Sequence, residues 1–383
     1  MSKLRVSKPQ IKVVEELFNV ILTIRGRVNY MNLSRYSLFN EKTFRRWFVR
    51  PFDFLGLNQG VLECLPKGKY VAAIDCVVQN KTGKKTYGIG AFWSTIQKRA
   101  IRGVEVSCIA LVHLNLGQAF SLDGRQTNGK KSEKTTRIDQ YVNHLNNLSK
   151  EILKYTCYLV ADGFYVKQKF ISAAMKSGFH IISKLRVDAN MRYLYSGKQK
   201  RSQGRRKRFD GKFDINQLGR LIFVKKENTY LIYEQLLYNM TLQSTIKMIL
   251  LVDKKGKKDM LFSTDCQLTA EEILNYYAAR FQIELLFRDA KQHAGFGHCQ
   301  SRSKKALNFH FNFSLSTVNL SKLQILEENK FKPDTIISID NLKRKKFNEH
   351  FINKIISMLD LKPNLIKNKP DYDNILKYGT WAA

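Results

Sequence analysis

The sequence predicts an α/β protein: a mixed sheet covered by helices, carrying a β-strand-rich insertion and flanked by helical amino- and carboxy-terminal segments. Three observations predict this. Between Tyr70 and Arg186, short apolar runs and amphipathic stretches follow in the order three strands, helix, strand, helix, strand. Residues 190–262 interrupt that order with further β-rich runs. Apolar residues at helical spacing return on either side of this region.

Taken in order, Ile11, Val14, Leu17, Phe18 and Ile21 predict a helix over 10–25, broken at Gly26. A polar-aromatic stretch, NLSRYS, covers 32–37. Asn40 then caps a helix, EKTFRRWFVR, that stops at Pro51. Its buried face is Phe44, Trp47 and Phe48, and its exposed face Lys42, Arg45 and Arg46. Helix, turn and cationic helix suit a DNA-reading module, although small bundles share the pattern. YVAAIDCVVQ, YGIGAFWST and AIRGVEVSCIALVHL read as three strands, followed by a polar loop to about residue 136. RIDQYVNHLNNLSKEILKY is an amphipathic helix, CYLVADGFY a fourth strand, KQKFISAAMKSG a helix and FHIISKLR a fifth strand.

The insertion opens with seven cations between Lys198 and Arg208 and continues with RLIFVKK, TYLIYEQLLYNM and the pair KMILLVD and DMLFSTD, joined by KKGKK. Such a charge run is a solvated face or a phosphate-backbone contact. Thr269 and Glu272 form a capping box for one long helix ending near Gly295. An apolar helix follows at roughly 305–325, then a Lys/Asn-rich stretch with a clearer helix at FNEHFINKIISML.

Lys and Arg number 66 against 32 Asp and Glu, a formal net charge of +34. That excess argues against an enzyme of neutral metabolites and for a polyanionic partner, most simply nucleic acid. The 44% hydrophobic content supports real cores rather than a basic tail. Six scattered cysteines with no C-x2-C pair, no apolar leader and no stretch long enough to span a bilayer predict a reducing, cytoplasmic setting. His293, His298 and Cys299, spaced H-x4-H-C, match no common closed zinc site.

The chemistry concentrates in NYYAARFQIELLFRDAKQ, which spaces Tyr277, Arg280, Glu284 and Lys291 as Y-x2-R-x3-E-x6-K. At about 100° per residue, offsets of three, seven and fourteen fall within an arc of roughly 60°. One stripe thus presents a carboxylate between two cations and a phenol. The neighbouring stripe (Tyr276, Ala279, Ile283, Leu286, Phe287, Ala290) is apolar. Alone, Arg280 and Glu284 would read equally well as a surface i,i+4 ion pair. Two further acids change the balance. Asp75 sits within an apolar strand, where a carboxylate is seldom placed unless paired or metal-bound. Asp162 ends another strand, just before Gly163. Three carboxylates on two strands and one helix offer hard oxygen ligands for two Mg²⁺ or Mn²⁺ ions, the equipment of phosphoryl transfer. Asp75, on the central strand, is the candidate bridge between the ions.

Asp75 in AAIDCVV, Asp162 in LVADGFY and the Tyr277, Arg280, Glu284, Lys291 signature make the chain resemble the DDE transposases of the IS4 family of insertion sequences, over roughly residues 60–320. The resemblance implies a ribonuclease-H-like core and a cut-and-paste transposase that cleaves DNA at the element's ends and joins 3′-hydroxyls to target DNA. Asp75, Asp162 and Glu284 would hold the metals, and Tyr277, Arg280 and Lys291 would grip phosphates. The partners implied are double-stranded DNA, both terminal inverted repeats and target, and a second copy of the chain in the DNA complex. The expected setting is a bacterial cytoplasm, with the protein on the nucleoid when bound to DNA. In relatives a Trp of the insertion stacks on an extruded base; here Trp47, Trp93 and Trp381 all lie outside 190–262.

The expected segments are a DNA-binding 1–60, with Arg45 and Arg46 as contacts, a core over 61–189 and 263–325 around the 190–262 insertion, and a helical 326–383. The rival functions are a nuclease of the same fold that cuts without joining, and a domesticated DNA-binding repressor.

Overall fold

The computed structural model describes residues 6–94, 97–129, 135–199, 206–227 and 229–381. Much of the predicted basic run after Lys198 lies outside them. Helix α1 (Lys8–Thr23) turns Val13, Val14, Leu17, Val20 and Ile21 inward. Helix α2 (Tyr30–Arg35) occupies much of what reads as a polar stretch, because the Asn29 side chain accepts from the Asn32 amide and starts a turn. Helix α3 (Glu41–Phe48) is capped by Asn40 as expected and buries Phe44, Trp47 and Phe48. Helix α4 (Phe54–Glu63), started by Asp53 accepting from the Gly56 amide at 2.8 Å, has no strong sequence signal, since Gly56 and Gly60 lower its propensity.

Strands β1 (Tyr70–Asn80), β2 (Gly90–Ser94) and β3 (Arg99–His113) follow. Strand β4 (Gln118–Gln126) replaces the first part of the expected loop and pairs antiparallel with β3. Helix α5 (Arg137–Ile152) starts at a Thr136–Asp139 capping box. Strand β5 (Tyr158–Ala161), helix α6 (Gln168–Lys176) and strand β6 (His180–Leu185) form a parallel crossover unit. The insertion supplies β7 (Met191–Leu194), β8 (Phe209–Lys212), β9 (Ile222–Glu227), β10 (Tyr230–Asn239), β11 (Ser244–Asp253) and β12 (Lys258–Ser263).

The expected single helix after Thr269 is two, α7 (Ala270–Ala279) and α8 (Phe281–His293). At their junction the Arg280 amide donates to Tyr277 O and the Ile283 amide to Arg280 O, each at 3.1 Å. This i→i+3 bonding tightens the turn locally. Helices α9 (Lys304–Glu328), α10 (Ile339–Met358), α11 (Pro363–Lys367) and α12 (Tyr372–Leu376) complete the chain. Gly295 follows α8 with φ +66, and a Cβ there would lie 2.4 Å from Val28 Cγ2, so only glycine suits the turn.

The architecture is mixed α/β, with a large mixed sheet and flanking helices. The chain forms two compact units. The first holds 1–68, 76–130 and 284–383. Its strand order is β2-β3-β1, with β4 also on β3, and α4 and α9 pack on β4. The second unit holds 69–75 and 131–283, with the order β1-β5-β6-β12-β11-β10-β7-β8 and β9 on β10. Strand β1 contributes to both. In the second unit β1, β5 and β6 are parallel, while β12, β11 and β10 extend the sheet antiparallel from β6. The insertion is therefore sheet-forming and hydrogen bonded to the edge strand of the parallel set. Helix α7 packs against β5, β6 and β12.

Helix α9 is the buried spine of the first unit, with Phe311, Phe313, Leu315 and Val318 fully enclosed. Its polar residues serve β4. Asn312 and Asn319 each bond both the amide and the carbonyl of one β4 residue, Gly124 and Ser121 respectively, at 2.8–2.9 Å. The Lys322 ammonium, also buried, donates to Ala119 O at 3.1 Å.

Burial pushes the Lys322 pKa down to about 8. In the unfolded chain a lysine titrates near 10.4, so between pH ~8 and ~10.4 the unfolded state binds more protons and stability rises with pH. Below that window the full cost applies, about 3 kcal/mol, partly offset by the bond to Ala119. Lys322→Met should therefore be more stable than wild type at pH 7, by about 1–2 kcal/mol, with the advantage fading toward pH 10. Denaturant unfolding of both proteins across pH checks this. A variant less stable at pH 7 would show that the ammonium's bond outweighs its burial.

Candidate active site

The β1–β5 register is Ala72 with Leu159, Ala73 with Val160 and Ile74 with Ala161. The next residues along are Asp75 and Asp162. Neighbouring strands lie about 4.8 Å apart, and in-register parallel residues share a face. The two aspartates thus stand side by side where β5 ends, at the carboxyl edge favoured for ligand sites in open α/β sheets. The β5–β6 register pairs Ala161 with Ser183, which places Lys184 next in the same row. The row reads aspartate, aspartate, lysine across three strands.

The environments of the two acids differ. Asp75 is about one-fifth exposed, and its Oδ2 lies 3.7 Å from Arg280 Nη1. Asp162 is exposed, begins a single 3₁₀ turn over Gly163–Tyr165 and accepts from the Gly163 amide at 2.7 Å. Lys184 pairs with Asp259 of β12 at 2.6 Å.

Helix α7 delivers the rest of the second unit's share. Tyr277 lies beneath Arg280, whose guanidinium carbon is 5.7 Å from the ring centroid. Burial raises the phenol pKa, with Arg280 and Lys184 working against that shift and Asp162 with it. The phenol therefore keeps its proton at neutral pH and is a hydrogen-bond donor. Arg280 is thus held between Asp75 and Tyr277, at the residue where the helix tightens.

Glu284 lies on α8, one turn past Arg280, and is half-buried. Lys291 is exposed further along α8, its ammonium pKa lowered by desolvation. Most of the apolar stripe packs inward: Ile283, Leu286 and Ala290 are fully buried and Tyr276 and Phe287 nearly so, while Ala279 is only half-buried. Among the described residues, no group of three or more His, Cys, Asp or Glu is placed to hold a metal ion. The structure thus sets Asp75, Asp162, Arg280 and Tyr277 together within the second unit, while Glu284 belongs to the first. In the first unit, Arg45 and Arg46 are exposed on α3, with Arg45 bonded to Glu41 at 2.5 Å and set over the Tyr30 ring at 5.3 Å.

Lys184 is the residue that sequence reasoning passed over. Its signal was a lone cation near the end of an otherwise apolar strand, FHIISKLR.

The donor set fits a hard divalent ion. Two in-register carboxylates supply oxygens, and a guanidinium already stands beside one of them as a cation would. With Lys184 in the same row and a phenol donor nearby, the arrangement can bind a phosphate ester and offset charge that develops on it.

A mixed α/β sheet with paired strand-end aspartates among cations suits phosphate-ester chemistry. The family model for the transposase DDE domain matches residues 69–320, and the chain belongs to that family of enzymes, which catalyse DNA cleavage and strand transfer. DDE transposases generally use divalent metal ions. Among solved structures, the chain is similar to a piggyBac transposase in a synaptic complex with hairpin DNA, determined by cryo-EM. That match has 13% identity and a TM-score of 0.42, covering 99% of this chain and 78% of that one. A search of curated proteins finds no match. Among the described residues, no helix is long and apolar enough to cross a membrane.

Proposed function

We propose that the protein is the cut-and-paste transposase of an IS4-type insertion sequence, with a ribonuclease-H-like core. It binds the element's terminal inverted repeats, cleaves at their ends and joins the freed 3′-hydroxyls to target DNA, acting as a homodimer on two ends in the bacterial cytoplasm. The observation that carries this reading is the in-register pair Asp75 and Asp162 with Arg280 at 3.7 Å, inside the family match.

Asp75, Asp162 and Glu284 are the residues that would hold two Mg²⁺ or Mn²⁺ ions. When bound, such ions lower the pKa of an attacking water or 3′-hydroxyl and steady the leaving oxygen. Arg280 is assigned two tasks in succession: it neutralises Asp75 before loading, then turns to a phosphate oxygen. Tyr277 donates its phenol hydrogen to the same strand, and Lys291 and Lys184 add positive charge along it. The amino-terminal 1–60, through Arg45 and Arg46, and the basic insertion over 190–262 are assigned to end binding, and 326–383 to a helical appendage of the core.

A pre-cleaved element end incubated with supercoiled target and Mg²⁺ tests the reading. Joined product is expected, and chelation of the metal should abolish it while leaving end binding intact. Cleavage of intact ends with no joining of pre-cleaved ones would make the protein a nuclease instead.

A further inference from the structure

Three stretches of the first unit, none of them part of the Tyr277–Lys291 signature, meet around a cavity of about 460 Å³. One is the turn after β1, where the Thr86 amide donates to Gly83 O at 3.0 Å. Another is the loop between α8 and α9, tied to the first by the Tyr87 amide donating to Arg302 O at 2.9 Å. The third is the link between α1 and α2, which brings Arg27. Arg27, Lys81, His298 and Arg302 line the space with Thr82, Thr86 and Ser301, and no Asp or Glu is among the lining residues.

We infer that this cavity is a phosphate-binding site that takes one phosphate of the DNA backbone. Three cationic side chains converge on a concave surface with no acid among its lining residues. A cluster kept for stability would be expected to include a counter-charge, because desolvated cations that face one another cost free energy. Burial lowers the Lys81 pKa, consistent with a cation held for a partner that arrives later. His298 is also lowered, first by burial and then by the Arg27 and Lys343 charges. Its Nδ1 accepts from the Val28 amide at 3.1 Å, so its proton sits on Nε2 and the ring is a neutral donor. Two guanidinium forks, an ammonium and an imidazole N–H match the acceptor-only oxygens of a phosphate. The volume lies within the range of about 300–1,000 Å³ common to ligand sites, enough for a phosphate and the sugar beside it.

The choice of DNA phosphate over free phosphate rests on the transposase reading above. The test is the salt dependence of binding to a labelled duplex bearing the element end, for wild type, Lys81→Gln, Arg302→Gln and the double variant. Each neutralised phosphate contributes about 0.9 to the slope of log K against log salt. Each single variant should flatten the slope by about that amount, and the double variant no further, because both cations serve one phosphate. Lys81→Arg should keep the wild-type slope, which separates lost charge from lost fold, and melting curves of all variants should overlay. Unchanged slopes with wild type still binding the duplex would overturn the site and leave the transposase reading standing. A wild type that does not bind the duplex would overturn both. Titration with inorganic phosphate supplies the remaining arm: heat lost in the variants alongside unchanged DNA slopes would reassign the cavity to a free phosphate.

Discussion

Asp75→Asn is expected to abolish strand cleavage while leaving end binding nearly unchanged. Asparagine is close to isosteric, so β1 keeps its place beside β5 through the Ala72, Ala73 and Ile74 pairings. The contact with Arg280 is long, 3.7 Å between Oδ2 and Nη1, and the amide can keep the side chain's place, so folding should survive. On the proposed assignment the change falls instead on metal affinity, since a neutral amide would be a poorer ligand for a hard divalent ion than a carboxylate. A loss of at least about a thousandfold in rate corresponds to about 4 kcal/mol of transition-state stabilisation. Removing a negative charge from beside Arg280 should, if anything, favour an approaching phosphate. Cleavage assays and mobility shifts on the same preparations separate the two effects. Cleavage at the wild-type rate would remove Asp75 from the chemistry. Loss of binding in parallel with cleavage would make it a structural residue.

Much of the fold is legible because its signals are local. The Asn40 cap, the Thr269–Glu272 capping box and the apolar runs of β1, β3 and β5 each declare themselves within a few residues. What escapes notice depends on partners far along the chain. QAFSLDGRQ reads as loop because its sequence carries Ser, Asp and Gly, yet it folds as β4. The groups that complete it lie on α9, 188 to 203 residues away. The Asn and Lys residues of α9 look like interruptions of an apolar helix, although they are the reason it fits that strand. The tightening at Arg280 has no glycine or proline to announce it; it falls where the guanidinium reaches Asp75. Within the candidate site, the residue types and the strand ends were readable from sequence. The row that sets Lys184 beside Asp162 was not, because register between β5 and β6 is a property of the pairing.

Replacing Asn319 with leucine should destabilise the first unit by about 4 kcal/mol. Its Oδ1 accepts from the Ser121 amide at 2.9 Å, while its Nδ2 donates to Ser121 O and to Asn58 Oδ1, each at 2.9 Å. Asn58 in turn donates to Leu122 O at 3.0 Å, so one asparagine links β4, α4 and α9. Ser121 and Asn319 are fully buried, and no water can replace the lost partner without repacking. Each buried group left unsatisfied costs about 1–3 kcal/mol, and leucine strands both the amide and the carbonyl of Ser121. Asn312→Leu should behave alike at Gly124, with both bonds there at 2.8 Å. The two should not add fully, because either change loosens the same strand edge. All three tryptophans, Trp47, Trp93 and Trp381, belong to the first unit, so tryptophan fluorescence during urea unfolding reads this unit selectively. An Asn319→Leu midpoint equal to that of wild type would mean that β4 is held by its apolar contacts alone, with the asparagine bonds contributing nothing net.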